Sequence, residues 1–272
     1  MVVLIKGAGD IASGIAYRLF NCGFNIVMTD IEKPTTVRCT VAFSTAVYKG
    51  TQVVEGVTAE RVNDCNGAKE CLKQNKIAVI VGEAAEIAKE LCPDVFIDAV
   101  LAKYNTGTNT HLAPIVIGIG PGFTAGEDCH AAVETKRGHT LGRVILSGTP
   151  IANTGIPGNI GGFTSERIIR AGKDGAFTPM AKIGDMVQKG DIVACVGKAE
   201  TAAQLSGVVR GMLPEGTVVT KGMKSGDIDP RGIKEYCYSV SDKALAVAGG
   251  TLEAILYFTN KSKAVNADAK IL

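Results

Sequence analysis

The first thirty residues alternate between apolar runs and glycine-rich or polar turns. Val2-Val3-Leu4-Ile5 is a short apolar run of the kind found in buried strands, and residues 10–21 repeat apolar side chains at helical spacing. Residues 25–30 predict a second strand, which ends in an acid. The pattern therefore predicts a strand–turn–helix–strand unit whose turn reads G-A-G-D-I-A at 7–12.

A glycine turn between a strand and a helix is typical of dinucleotide-binding proteins. Gly7 would allow the tight turn, Gly9 would let backbone N–H groups approach a pyrophosphate, and Asp30 would accept a hydrogen bond from a ribose hydroxyl. The candidate cofactor-binding residues of this unit are Gly7, Gly9, Asp10, Ile11, Ala12 and Asp30. The alternative is a turn that only packs strand against helix.

The alternation continues after Asp30. Helices are predicted over 63–75 and 83–91, and strands over 77–81, 94–100 and 115–119, which favours a Rossmann-like, mostly parallel sheet. Ligands of such sheets bind at the carboxyl ends of the strands. The loop after Val100 opens there, and its candidate ligand-binding residues are Lys103, Asn105, Thr106 and Gly107.

Residues 177–230 contain an internal repeat. Gly184, Val187, Lys189 and Gly190 recur 32 residues later as Gly216, Val219, Lys221 and Gly222. Two similar β units of this size predict a small all-β barrel-sandwich hybrid domain, like those of biotinyl and lipoyl carriers. The link between the units lacks the residues that flank a modified lysine, so we expect no lipoyl or biotin group.

The middle of the chain is rich in glycine and proline. Its candidates for binding a phosphate or carboxylate are Arg137, His139, Arg143, Asn159 and Gly161, with surface ion pairs as the alternative for the charged ones. A helix is predicted from near Thr164, a strand over 236–240 and a last helix through 258.

These patterns divide the chain into four regions. We predict a Rossmann-like nucleotide-binding domain at 1–122 and a glycine-rich segment completing its crevice at 123–175. The barrel-sandwich hybrid follows at 176–230, and a C-terminal strand and helix at 231–272 would pack back on the main body. The fold class predicted is therefore α/β with a small all-β domain.

Composition and net charge limit the classes of partner that the sequence favours. The 272 residues are 46% hydrophobic and 5% aromatic, with a net charge of +2, so neither nucleic acid nor a membrane is an expected partner. A strand predicted from residue 2 leaves no room for a signal peptide, so we expect a cytoplasmic protein. The eight cysteines and three histidines show no metal-ligand spacing, and we expect reduced thiols and no metal.

Several longer motifs resemble a known family. They include G-A-G-D-I-A-S-G at 7–14, A-K-Y-N-T-G-T at 102–108, N-T-G-I-P-G-N-I-G-G at 153–162 and G-D-I-D-P-R at 226–231. In these the chain resembles the YqeB-type accessory proteins of selenium-dependent molybdenum hydroxylases. The resemblance implies a role in maturing such a hydroxylase, with the hydroxylase as client protein, but it does not fix a reaction.

Three functions follow from the sequence. The first is a maturation factor that binds a nucleotide or the dinucleotide form of the molybdenum cofactor (molybdopterin dinucleotide) in the sheet crevice. The second is an NAD-dependent oxidoreductase acting on a small metabolite, with NAD(P) as the expected cofactor, although no general acid or base is evident. The third is a non-enzymatic scaffold with an empty crevice. Neither the oligomeric state nor any enzymatic reaction is predicted.

Overall fold

The computed structural model describes residues 1–268 and consists of one large sheet with helices and two smaller sheets. Residues 269–272, the end of the predicted C-terminal region, lie outside it. Within the described residues, every helix is too short or too polar to cross a membrane.

Nine strands form the large sheet. In chain order they are β1 (Val2–Lys6), β2 (Asn25–Asp30), β3 (Thr51–Val54), β4 (Val57–Val62), β5 (Ile77–Val81), β6 (Val95–Asp98), β7 (Ile115–Ile119), β8 (Ala131–Val133) and β9 (Val144–Ile145). Their order across the sheet is β3-β4-β5-β2-β1-β6-β7-β8-β9. The pairs from β4 to β8 are parallel, whereas β3–β4 and β8–β9 are antiparallel. The sheet is therefore mixed, with an antiparallel strand at each edge.

Helices cover both faces of this sheet because its buried strands alternate apolar side chains between the two faces. The helices are α1 (Asp10–Asn21), α2 (Ala46–Lys49), α3 (Cys65–Lys73), α4 (Ala84–Leu91) and α5 (Asp242–Asp268). Val3 and Ile5 face the core shared with α1, α2 and α5, whereas Leu4 and Phe96 face the core shared with α3 and α4. The first of these cores holds α1 and α5 side by side.

The second unit is built from two four-stranded antiparallel sheets. Its strands are β10 (Ile168–Arg170), β11 (Gly175–Pro179), β12 (Met186–Val187), β13 (Ile192–Val196), β14 (Ala199–Ala202), β15 (Gly207–Met212), β16 (Val218–Val219) and β17 (Lys224–Asp229). One sheet has the order β10-β17-β15-β12 and the other β14-β13-β11-β16. We call this unit the β module. Its core includes Phe177, Val193, Val209 and Ile228.

The repeat places its two copies in different sheets of the β module. Val187 in β12 lies at the edge of one sheet, and Val219 in β16 lies at the edge of the other. The glycines before these strands, Gly184 and Gly216, have φ angles of +98° and +77°, which favour glycine.

The predicted fold class, a Rossmann-like sheet plus a biotinyl-like barrel-sandwich hybrid, is wrong. The large sheet is mixed, with antiparallel pairs at both edges, and β10 from the predicted middle segment pairs with β17 in the β module. Local patterns predict strands, but the direction and order of pairing are fixed by contacts distant in sequence, such as the register of Ile168 with Asp227.

Two local predictions are also wrong. In place of a helix from Thr164, Ser165–Arg167 forms a single 3-10 turn that leads into β10, because Arg167 is held by an ion pair with Asp227. In place of a strand at 236–240, Lys234–Cys237 forms another 3-10 turn. The Arg38 guanidinium donates to the carbonyl oxygens of Tyr236 and Ser239, which replaces strand pairing there.

Candidate functional site: a cationic pocket

A cavity of about 880 Å³ lies between the first helix, the start of α5, the glycine-rich segment 151–160 and the β module. Of the described residues that line it, nine are basic and two acidic. The basic ones are Arg38, Lys103, Lys136, Arg137, Arg167, Arg170, Arg210, Lys224 and Lys243. We call this cavity the cationic pocket.

Two helix N-termini meet at the pocket. Asp10 and Ile11 of α1 and Ser241 and Lys243 at the start of α5 line it. A Cβ on Gly14 would lie 2.6 Å from the Ala244 Cβ, and one on Gly249 would lie 3.3 Å from an Arg18 side-chain nitrogen. Contacts thus advance along both helices together, so the helices are parallel. The partial positive charges of both N-termini therefore act on the same cavity.

Three of the arginines are paired with carboxylates. Arg38 donates to both oxygens of Asp10 at 3.0 and 3.1 Å. Arg167 donates to Asp227 at 2.6 Å, and both side chains are buried. Arg137 pairs with both oxygens of Asp242 at 2.6 and 2.8 Å, which holds the pKa of that carboxyl far below its usual range. These pairs fix the arginines in place.

Arg210 has no such support, although it is 95% buried. Among the described residues it donates no hydrogen bond, and the nearest carboxylate oxygen, on Asp229, is 3.6 Å from its Nη1. Asp229 is instead held by Arg231, whose Nη2 and Nε donate to it at 2.6 and 2.9 Å. Burial, together with repulsion from Arg38, lowers the pKa of Arg210. A buried guanidinium left without hydrogen-bond partners is costly, and an anion in the pocket would supply them.

The four lysines of the pocket form no ion pair among the described residues, and two of them, Lys224 and Lys243, have a shifted pKa as well. Within the described part of the chain, no carboxylate lies within ion-pair distance of the Lys224 or Lys243 ammonium group. Desolvation, and repulsion from the neighbouring arginines, lowers the pKa of both. Lys224 and Lys243 thus have no carboxylate partner, and Arg210 has only the longer contact with Asp229, which it shares with Arg231.

The wall carries backbone strain at Lys103. Its φ angle is +71°, and that of Leu101 is +58°, both in the left-handed region that non-glycine residues rarely adopt. Such conformations cost about 1–3 kcal/mol each and cluster at ligand sites. The loop after β6 is therefore held in a shape that brings Lys103 to the pocket.

The pocket includes five of the residues predicted from the sequence. They are Asp10, Ile11, Lys103, Arg137 and Asn159. The others lie outside its wall. The Asn105 side chain accepts hydrogen bonds from the N–H groups of Gly107 and Thr108 and so stabilises its own loop. The Thr106 hydroxyl accepts a hydrogen bond from the Lys6 ammonium at 2.6 Å. His139, Arg143 and Gly161 are solvent-exposed.

The Asp30 carboxylate binds the backbone of the glycine turn at 7–12. Gly7, with a φ angle of +96°, lies against the backbone of Ala99 after β6, Gly9 lies near the Thr36 hydroxyl, and Ala12 is buried in the core shared with α5. The Asp30 carboxylate accepts from the backbone N–H groups of Ala8 at 2.9 Å and Ile31 at 2.8 Å. Burial raises the pKa of Asp30. Both of its oxygens therefore have partners within the protein, where the sequence interpretation gave Asp30 a ribose hydroxyl.

Sequence reasoning missed most of the cations. Arg38, Arg167, Arg210 and Lys224 reach the pocket from four segments that only the tertiary fold brings together. The one sequence signal was the motif G-D-I-D-P-R at 226–231, whose Asp227 and Asp229 hold Arg167 and Arg231.

Among the described residues, no group of three or more His, Cys, Asp or Glu side chains could hold a metal ion. Burial also raises the pKa of several thiols, to about 11 for Cys71 and Cys129. These two thiols stay protonated near neutral pH and are weak nucleophiles.

Fold and site together define an α/β protein with an appended β module and a cationic ligand pocket between them. The whole chain aligns with the uncharacterised protein YqeB of Escherichia coli (strain K12) at 49% identity over 271 residues, which supports its assignment to the YqeB family. The chain spans about half the length of this curated relative, 50% of which is covered. No protein-family profile matches the chain.

Solved structures give only distant likenesses. An aspartoacylase family protein of Mesorhizobium loti aligns over 84% of each chain with 9% identity and a TM-score of 0.28. A succinylglutamate desuccinylase of Silicibacter sp. TM1040 also aligns over 84% of each chain, with 14% identity and a TM-score of 0.26. Likenesses this weak carry no conclusion about the fold or the function of this chain.

Proposed function

We propose that this chain is an accessory protein in the maturation of a selenium-dependent molybdenum hydroxylase. In this proposal it binds a nucleotide, or the dinucleotide form of the molybdenum cofactor, in the cationic pocket, and the hydroxylase is its client protein. The pathway rests on the motifs shared with YqeB-type accessory proteins. The ligand class rests on one observation: the buried Arg210 guanidinium donates no hydrogen bond among the described residues, and Lys224 and Lys243 line the same pocket without a carboxylate partner.

The charge of the pocket favours a ligand with several negative charges. A single carboxylate would leave most of these cations unpaired, whereas a diphosphate supplies several acceptor oxygens for guanidinium and ammonium groups. Both helix N-termini favour the same anion. A volume of about 880 Å³ also lies within the range of small-molecule and cofactor sites.

The oxidoreductase alternative has less support. It needs Asp30 to accept from a ribose hydroxyl, and the two oxygens of that carboxylate already accept backbone N–H groups. NAD(P) therefore enters the test below as a competing ligand. A scaffold with no ligand would leave Arg210 buried without hydrogen bonds at a cost in stability.

Calorimetry tests the proposal. The purified chain is titrated with inorganic pyrophosphate, CTP, ATP and NAD, and compared with the double variant Lys224→Met/Lys243→Met. Lys173→Met, an exposed lysine outside the pocket, is the matched control. We expect a dissociation constant in the micromolar range, about −8 kcal/mol, for the diphosphate-bearing ligands. Each lost ammonium should weaken binding about tenfold, because charged hydrogen bonds contribute about 1.5–3 kcal/mol.

The pattern of ligands decides between the functions. Preference for CTP supports handling of a dinucleotide cofactor, and preference for NAD would transfer support to the oxidoreductase. Affinity should fall as the pH rises toward the ordinary lysine pKa of 10.5, because Lys224 and Lys243 lose their protons earlier than ordinary lysines do. If none of the four ligands binds, or if the double variant binds as well as the control, the proposal is wrong.

A further inference from the structure

A second cavity, of about 890 Å³, lies on the other side of the segment 37–39. Its walls come from residues 33–52 and from the β-module segments 179–183 and 212–218. The segment is fixed between the two cavities because the Met212 N–H donates to the Val37 carbonyl at 2.7 Å. Arg38 lines the cationic pocket, and Cys39 lines the second cavity, which we call the hydroxyl pocket.

Several polar side chains of the hydroxyl pocket donate to carbonyl groups of the protein itself. Thr45 Oγ1 donates to the Cys39 carbonyl at 2.6 Å, Tyr48 donates to the Pro34 carbonyl at 2.8 Å, and Thr40 donates to the Cys237 carbonyl. The Gln52 amide donates to the Thr40 carbonyl at 3.1 Å. The hydroxyl oxygens and the Gln52 Oε1 keep acceptor capacity. N–H or NH₂ groups of a ligand would therefore find acceptors in this pocket, while the lysines and the Thr35 and Thr36 hydroxyls can donate to acceptors on the ligand.

The remaining wall is apolar and aromatic. Met212 and Leu213 are buried beneath it, and Pro214 continues the surface. Tyr48 is 50% exposed and Tyr238 is 48% exposed, so part of each ring is open to a ligand. Flat rings bind well in such a site because they stack on aromatic side chains and fill apolar space without conformational cost.

Charge at the pocket excludes a cationic ligand. Lys33, Lys49 and Lys182 line it, with Glu215 as the acid among the described lining residues. The lysines favour an anionic substituent and repel an ammonium group, so the donors come from a neutral ring system. Burial raises the pKa of Cys39, which lowers the fraction of its thiolate near neutral pH, and the thiol lines the pocket as a contact for the ligand.

We propose that the hydroxyl pocket is a second small-molecule site, for a neutral heteroaromatic ring that carries amino or ring N–H groups and an anionic substituent. A nucleoside monophosphate has this chemistry. The site is separate from the cationic pocket, and its occupancy does not depend on the ligand proposed there.

Cys39 supplies an internal reporter. The chain is treated with N-ethylmaleimide with and without adenosine or guanosine monophosphate, and labelling of each cysteine is measured by peptide mass spectrometry. We expect one of the two nucleotides to slow labelling of the half-buried Cys39 at least about tenfold, while the exposed Cys22 and Cys92 react at unchanged rates.

Variants connect this protection to the pocket. Tyr48→Ala removes the exposed ring and should raise the nucleotide concentration needed for protection about tenfold or more, since stacking contributes about 1–3 kcal/mol. Tyr48→Phe keeps the ring and should have a smaller effect. Tyr257→Ala, a 40%-exposed tyrosine on α5, is the matched control.

The outcomes separate this site from the cationic pocket. Protection that persists in Lys224→Met/Lys243→Met supports a second site, even if the function proposed above fails. Protection that is lost in that double variant, or unchanged in Tyr48→Ala, would overturn the inference. So would the absence of Cys39 protection with both nucleotides.

Discussion

Two buried arginines of the cationic pocket differ in what holds them. Arg167 has a close carboxylate partner in Asp227 at 2.6 Å, and its Nη2 donates to the Gly158 carbonyl at 3.1 Å. Arg210 shares Asp229 with Arg231 at a distance of 3.6 Å and donates no hydrogen bond among the described residues. Arg167 is therefore held by hydrogen bonds within the protein, whereas burying Arg210 without them lowers the stability of the fold.

Methionine at each position separates the two roles. Arg167→Met leaves Asp227 buried without its partner, and we expect a loss of about 3–5 kcal/mol in the free energy of unfolding. Arg210→Met leaves Asp229 with Arg231 and removes repulsion from Arg38. Its stability should stay unchanged or rise by up to about 2 kcal/mol, while pyrophosphate binding weakens at least about tenfold.

Urea unfolding and pyrophosphate calorimetry measure these two quantities for each variant. Arg143→Met serves as the matched control, because Arg143 is solvent-exposed and lies outside the pocket. A large destabilisation by Arg210→Met would contradict the assignment of Arg210 to a ligand, because it would show that the guanidinium supports the fold.

At the scale of elements, the parallel packing of α1 and α5 is what joins two helix N-termini at one site. Gly14 makes this approach possible, since an added Cβ would lie 2.6 Å from the Ala244 Cβ and 3.1 Å from a Val240 methyl group. Alanine normally favours a helix by about 1 kcal/mol over glycine. At position 14 that gain is opposed by overlap with α5.

We predict that Gly14→Ala lowers the free energy of unfolding by about 1–3 kcal/mol, because the two helices must separate. Separation also moves the N-termini, so pyrophosphate binding should weaken. Gly249→Ala is the matched control, as its Cβ would meet only the end of the flexible Arg18 side chain at 3.3 Å. It should be neutral or stabilising by up to about 1 kcal/mol. Equal stabilities for the two variants in urea unfolding would contradict the close-packing argument.

Some helices and strands could be predicted from the sequence, and others could not. The strands Ile77–Val81 and Ile115–Ile119 agree with their predicted bounds, because each is a short apolar run between turns. The turn Ser165–Arg167 was missed because its conformation depends on an ion pair with Asp227, sixty residues away. Arg210 and Lys224 could not be recognised as site residues, because neither stands next to a motif that indicates an anion.

At the scale of the whole molecule, the cationic pocket lies between the large sheet and the β module, and residues of both units line it. Lys103 and the starts of α1 and α5 come from the first unit, and Arg210 and Lys224 come from the second. Arg38 connects segments that are distant in sequence at this pocket, because its guanidinium donates to Asp10 and to the carbonyls of Tyr236 and Ser239. A ligand that bridges these groups stabilises the two units together.

Hydrogen exchange measures this coupling. With pyrophosphate at about a hundred times its dissociation constant, the folded state should gain about 2.7 kcal/mol. We expect slower amide exchange in peptides that cover the start of α1, the start of α5 and the β15–β17 sheet, all in the same titration. The edge pair β3–β4, which lies at the far end of the large sheet, provides the internal control. Protection confined to α1 and α5 would mean that the β module does not hold the anion. Protection in both units would make the β module part of the ligand site.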